Sequence, residues 1–176
     1  MIEFPNHDWT DFYRDAKETI PTNMPEPRGK PVQINVYCDA NHAGNKVTRR
    51  SHSGILIYCN RSPILWYSKR QNTVETLTFG SESIALRITV EMVDALCYKL
   101  RMMGVPLEGP ATILCDNLSL VTSTTIPESV LQKIHNSVNW HKIRETIAVP
   151  YKRRAFEISA WNNFEVPIEE CVILIR

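Results

Sequence analysis

The sequence has no aspartate beyond Asp116 and no acidic residue of either kind from 40 to 74. It also lacks any apolar run near the roughly 18–20 residues that a membrane span needs, so no membrane partner is expected. The cysteines Cys38, Cys59, Cys97, Cys115 and Cys171 are odd in number and show no C-x-x-C spacing. That argues against a disulfide scaffold or a zinc site and favours a reducing setting. Four of them sit inside apolar runs, as small buried hydrophobes do. The opening residues, MIEFPNHDW, have neither the basic nor the apolar region of a signal peptide. No Tyr-x-Asp-Asp polymerase motif occurs. These absences predict a soluble intracellular chain, with cytoplasm and nucleus equally open, that does not itself polymerise nucleic acid.

What is present suffices for one domain. The chain has 176 residues, 43% of them hydrophobic, which is enough for a substantial core. Its net charge is only +1, yet the charges are segregated. Residues 1–28 are mainly acidic, whereas 40–74 carry Lys46, Arg49, Arg50, Arg61, Lys69 and Arg70 without an opposing acid. A second basic stretch runs from 130 to 154, opposed by Glu145 alone. Local basic surfaces on a nearly neutral protein suit a polyanion partner, and solvated loops account equally well for the counts.

Residues 1–31 are polar and proline-rich, and read as a connector or strap that Trp9, Phe12 and Tyr13 anchor. The domain proper is expected over 32–176. Residues 32–39 alternate, with Ile34, Val36 and Cys38 on one strand face and Asp39 on the other, at the strand's end. Residues 53–59 and 63–68 are two further strands joined by the short loop Asn60-Arg61-Ser62. Ala85, Ile88, Met92, Leu96, Leu100 and Met103 recur at helical spacing, which predicts a helix over 81–103 closed by Gly104 and Pro106. A fourth strand over 111–116 has no charge before Asp116, as a strand buried on both faces would. Helices are expected over 117–123 and 128–148, and a last strand over 156–160. The order predicts an α/β domain with a mixed central sheet flanked by helices.

Two strands ending in aspartate and a helix opening with glutamate form the informative constellation. If the first and fourth strands are neighbours, Asp39 and Asp116 project at one sheet edge and the helix can lay Glu82 between them. Three hard oxygen ligands there would hold Mg2+ or Mn2+. Taken singly, each acid also has an ordinary explanation: Asp116 followed by Asn117 as a turn cap, and Glu82 as a first-turn acid complementing the helix dipole.

The surrounding residues add a resemblance. Tyr37-Cys-Asp-Ala-Asn-His-Ala-Gly44, Thr48-Arg-Arg-Ser-His-Ser-Gly54, Trp66-Tyr-Ser-Lys-Arg-Gln71, Phe79-Gly-Ser-Glu-Ser-Ile-Ala-Leu86 and Cys115-Asp-Asn117 resemble, in order, the ribonuclease H domain of copia-type retrotransposon Pol polyproteins. So does the stretch from Pro127-Glu-Ser through His141-Lys-Ile-Arg-Glu145. Asp8-Trp-Thr-Asp-Phe-Tyr13 and Met24-Pro-Glu-Pro27 resemble the connector that follows the reverse transcriptase there. The likeness covers roughly residues 6–148. It implies a ribonuclease H-like fold and endonucleolytic cutting of the RNA strand of RNA–DNA hybrids during reverse transcription. It also implies a reverse transcriptase region as partner and a site with two Mg2+ or Mn2+ ions. By motif, three of that family's four carboxylates fall on Asp39, Glu82 and Asp116. Arg49, Arg50, Lys69, Arg70 and Gln71 are candidates for the surface that holds the DNA strand. His135 and His141 fall on the family's histidine positions, and His135 is a candidate for orienting water or releasing product.

Past Ala148 the likeness ends, leaving 149–176 as a divergent or incomplete C-terminal part. The family's closing Asn-x-Ala-Asp has only one remnant, Asn162-Asn-Phe-Glu165, so Glu165 is the candidate fourth ligand. Val166–Arg176 is too short and β-branched to supply much helix. The alternative expectation is a catalytically impaired or repurposed relic that still binds nucleic acid.

Overall fold

The structure, a computed structural model, describes residues 23–125, 129, 131, 136–146 and 172–175. In chain order the described elements are β1 (Ile34–Asn41), β2 (His52–Cys59), β3 (Ser62–Arg70), α1 (Thr78–Met102), β4 (Ala111–Cys115), α2 (Leu118–Thr125), α3 (Ser137–Thr146) and β5 (Val172–Ile175). This is an α/β arrangement around one mixed sheet of order β3-β2-β1-β4-β5. The pairs β1–β2, β2–β3 and β4–β5 are antiparallel, and β1–β4 is parallel.

The alternation in β1 places Ile34, Val36, Cys38 and Ala40 in the core, packed with Ile55 and Ile57 of β2 and Ile113 and Cys115 of β4. Helix α1 closes over that face with Ala85, Leu86, Val90, Val93 and Cys97. All of β4 is buried, as its uncharged run predicts for a strand with neighbours on both sides. Strand β1 extends beyond the expected end: Asp39 pairs with Gly54, and the ladder continues to Asn41 opposite His52. Asp116, by contrast, is the first residue beyond β4.

Two expectations about α1 are corrected. The helix starts at Thr78, which puts Glu82 in its second turn and leaves the first turn without an acid. A dipole-complementing role therefore does not account for Glu82, because that effect fades beyond the first turn. The buried stripe is also rotated: Ala85 is buried as expected, but the stripe runs on through Glu82, Leu86, Thr89, Val90, Val93 and Cys97, whereas Ile88, Met92, Leu96 and Leu100 flank it half-buried and Met103 is 68% exposed. Polar residues within the stripe disguised it. The helix end matches expectation. Gly104, at φ 73°, donates its N–H to Arg101, and Val105 donates to Leu100, both at 2.9 Å, forming a Schellman closure.

The β2–β3 turn is Asn60-Arg61, one residue shorter than expected, since Ser62 already pairs with Cys59. Asn60 adopts φ 54°, a conformation asparagine tolerates, and its side-chain oxygen accepts the Gln33 N–H at 2.9 Å. The described end of the connector is tied to the segment after α1. Arg28 N–H reaches the Gly104 carbonyl at 2.7 Å, and Val32 exchanges bonds with Pro106 and Glu108. The fifth strand comes from Val172–Ile175, a stretch not expected to be ordered into the sheet. Its β-branched composition suits a strand on the β4 edge better than a helix. The strand expected over 156–160, the connector anchors Trp9, Phe12 and Tyr13, and the helix expected over 128–148 fall wholly or partly outside the described residues. No described helix is long and apolar enough to cross a membrane.

Candidate metal centre

The parallel pairing of β1 with β4 builds the site. Cys38 is the register partner of Cys115, so the next residues, Asp39 and Asp116, emerge side by side at the same end of the sheet. Beyond Cys115 strand β4 stops, while β1 runs on through Ala40, leaving backbone without a β4 partner. Glu82 enters there from α1 and accepts a hydrogen bond from the Ala40 backbone. Its other oxygen, Oε2, is buried without a hydrogen-bond partner, and the residue is only 5% exposed.

The electrostatics follow from this placement. Burial first, then the charges of Asp116 and Asp39, push the Glu82 carboxyl up to about 8, and the Ala40 bond offsets this only in part. Burial and the neighbouring Asp39 raise Asp116 as well, although its side chain is more open to solvent. No cationic side chain among the described residues lowers Glu82. Glu82 and Asp116, one with an orphaned oxygen and both raised by burial and by the charge of Asp39, form an acidic group that could hold a metal ion. Donor atoms of Glu82, Cys115 and Asp116 lie within 4.8 Å of one another, so a single ion can bring them together with small side-chain movements. Asp39 acts on both carboxylates through its charge.

Local hydrogen bonds fix these elements. Asn117 caps α2, its Oδ1 accepting the Leu120 N–H at 3.0 Å, which leaves Asp116 free of the capping role that its sequence context allows. Gln71 is placed differently from a surface residue: it is 5% exposed, and its Nε2 donates to Ser53 Oγ and to the Ser81 carbonyl, each at 2.9 Å. It pins the end of β3 and the start of α1 to β2, directly before Glu82. Ser81 Oγ donates to the Thr78 carbonyl at 2.9 Å, and lies 3.2 Å from His42 Nδ1. Because that hydroxyl proton is engaged, Ser81 accepts from His42, which places the imidazole proton on Nδ1. His42 and Cys115 are site neighbours that the spacing arguments did not single out. The contact of His42 spans 39 residues, and Cys115 reads in sequence as one more apolar strand residue.

The basic candidates gather at the same sheet end. β1 ends, β2 begins and β3 ends there, so the β1–β2 loop with Arg49 and Arg50 and the β3 end with Lys69 and Arg70 lie at the sheet end where the carboxylates are. Asn45 stiffens that loop by accepting the N–H groups of Val47 and Thr48 at 3.1 and 2.8 Å. Arg49, Lys69 and Arg70 are exposed and Arg50 is half-buried. Glu165 and His135 lie outside the described residues. His141 is exposed on α3, its ring edge-on to Trp140.

Comparison with known proteins gives two informative relatives. The chain is 28% identical over 120 residues to the retrovirus-related Pol polyprotein from transposon RE1 of Arabidopsis thaliana, and 27% identical over 120 residues to that from transposon RE2. The chain is similar to part of retrotransposon Pol polyproteins. In each case the match covers 68% of this chain and 8% of the relative, so the chain corresponds to a small portion of those polyproteins. No protein-family model matches.

Proposed function

We propose that this chain is a ribonuclease H-like unit of a retrotransposon Pol polyprotein, hydrolysing the RNA strand of RNA–DNA hybrids during reverse transcription. The observation that carries the reading is the meeting of Asp39, Asp116 and the half-orphaned carboxylate of Glu82 at one end of a mixed sheet. The Pol relatives supply the context of an element that copies RNA into DNA.

Asp39 on β1 and Asp116 just beyond β4, with Glu82 held by the Ala40 backbone, would hold Mg2+ or Mn2+, and Glu165 would complete the set as a fourth carboxylate. Two such ions, when bound, supply a water activated for attack and charge stabilisation for the departing 3′-oxygen. The protein's own share is positioning. The strands set the aspartate spacing, Gln71 and Ser81 hold the start of α1, and the core beneath excludes water from one side of Glu82. Arg49, Arg50, Lys69 and Arg70 face the phosphates of the hybrid, and a reverse transcriptase region delivers it. RNA is distinguished from DNA through its 2′-hydroxyl groups.

The test is hydrolysis of a labelled RNA–DNA hybrid in Mg2+ or Mn2+ by wild type, Asp39→Asn and Glu165→Ala. The expected result is hybrid-specific cleavage that falls by about a hundredfold or more in Asp39→Asn, in line with the loss of a directly bound catalytic group. An intact, folded protein that binds hybrid but cuts in neither metal overturns the nuclease reading in favour of a repurposed binding relic. Cleavage by Glu165→Ala at the wild-type rate removes Glu165 from the set.

A further inference from the structure

The donor set of the centre includes a thiol. Cys115 is 4% exposed, and its Sγ lies within 4.8 Å of a carboxylate oxygen of both Glu82 and Asp116. Across the β1–β4 pairing its register partner is Cys38, a second buried thiol on the same face. The Glu82 carboxylate in this group carries an oxygen, Oε2, that is buried and without a hydrogen-bond partner. An all-oxygen site selects Mg2+ or Mn2+, whereas thiolate shifts preference towards softer ions.

We infer that the centre doubles as a mixed carboxylate–thiolate site for one thiophilic divalent ion, Zn2+ or Cd2+, held by Glu82, Cys115 and Asp116. This rests on the reading of the carboxylates as a cation site, and not on hydrolysis. Ion–donor bonds of about 2.0–2.3 Å in a tetrahedral site set donors about 3.3–3.8 Å apart, so each separation, at most 4.8 Å here, closes by no more than about 1.5 Å. Cys38, the register partner of Cys115, adds a second polarisable sulfur beside it. Burial keeps both thiols protonated in the free protein, so the cation must displace the proton. On binding, the Cys115 S–H bond breaks, the proton leaves to solvent and a sulfur–metal bond forms, with no change of oxidation state. The same ion withholds Glu82 and Asp116 from Mg2+, so trace Zn2+ or Cd2+ inhibits any Mg2+-dependent activity of the centre.

The test is titration of the metal-free protein with Cd2+, read by calorimetry and by sulfur-to-cadmium charge-transfer absorption in the ultraviolet. Wild type is compared with Cys115→Ser, Cys115→Ala and, as a control thiol away from the centre, Cys59→Ala, each checked for folding by circular dichroism. Expected is one Cd2+ per chain whose thiolate band survives Cys59→Ala and whose affinity drops by about tenfold or more in both Cys115 variants. Excess Mg2+ should weaken Cd2+ binding by competing for Glu82 and Asp116. A band that persists unchanged in folded Cys115→Ser or Cys115→Ala overturns the inference, as does Cd2+ binding indifferent to Glu82→Gln. Cys115-dependent Cd2+ binding by a protein that never cuts hybrid would leave this site standing and remove the nuclease reading. Mg2+-dependent cutting without Cys115-dependent binding would do the reverse.

Discussion

Cys38 and Cys115 are register partners across the parallel β1–β4 pair, and that single alignment sets Asp39 beside Asp116. A slip of one residue would move one aspartate to the opposite face of its strand, because side chains alternate. The buried pair two residues earlier in the same ladder, Val36 with Ile113, holds the register against such a slip.

Glu82→Gln should make the metal-free protein more stable in alkali. The folded-state value of about 8 lies above the ordinary 4.5, so between them the folded chain keeps a proton that the unfolded chain has released. The penalty is absent below 4.5, grows as pH rises, and is complete above about 8. At about 1.4 kcal/mol per unit, the variant should gain a few kcal/mol above that range and nothing below it. Thermal unfolding across the pH range checks this, and saturating Mg2+ should restore much of the wild-type stability in alkali. A wild-type pH profile in parallel with that of Glu82→Gln would contradict the described electrostatics.

Gln71→Ala should destabilise the fold by about 1–3 kcal/mol, because two buried hydrogen bonds disappear and the Ser81 carbonyl loses its side-chain donor. Denaturant unfolding measures this directly. Unchanged stability with weakened hybrid binding would instead place Gln71 at the nucleic-acid surface.

Alanine at Arg49, Arg50, Lys69 or Arg70 should weaken hybrid binding without altering the unfolding free energy by more than about 0.5 kcal/mol. Each lost phosphate contact should flatten the slope of log affinity against log salt by about 0.7–0.9. Fluorescence anisotropy of a labelled hybrid at several salt concentrations gives that slope. Four unchanged slopes would remove this end of the sheet from nucleic-acid contact.

His42→Asn should retain the bond to Ser81, since the asparagine amide can stand where Nδ1–H stands, whereas His42→Gln and His42→Ala should lose it. The two latter variants should lose about 1 kcal/mol of stability and bind Mn2+ more weakly. Calorimetric Mn2+ titration separates the pair, and equal behaviour of Asn and Gln variants would contradict the His42 Nδ1 contact with Ser81.

The sequence by itself determined much of the local structure. Alternation marked β1 and placed Asp39 opposite Ile34, Val36 and Cys38; the uncharged run of β4 signalled a strand buried on both sides; Gly104 closed α1. Those signals lie within a few residues of each other, where backbone geometry alone sets the period. The sequence also pointed to Asp39, Glu82 and Asp116 as a set. Only the tertiary structure decided which face of α1 is buried, because Glu82, Ser83 and Thr89 occupy core positions that a hydrophobic pattern assigns to solvent. It also moved Gln71 from surface to interior, joined His42 to Ser81, turned Val172–Ile175 into an edge strand and brought Cys115 into the carboxylate cluster. Each of these depends on contacts between residues far apart in the chain. Their energies come from shared burial and from hydrogen bonds that exist only once the sheet and α1 have packed.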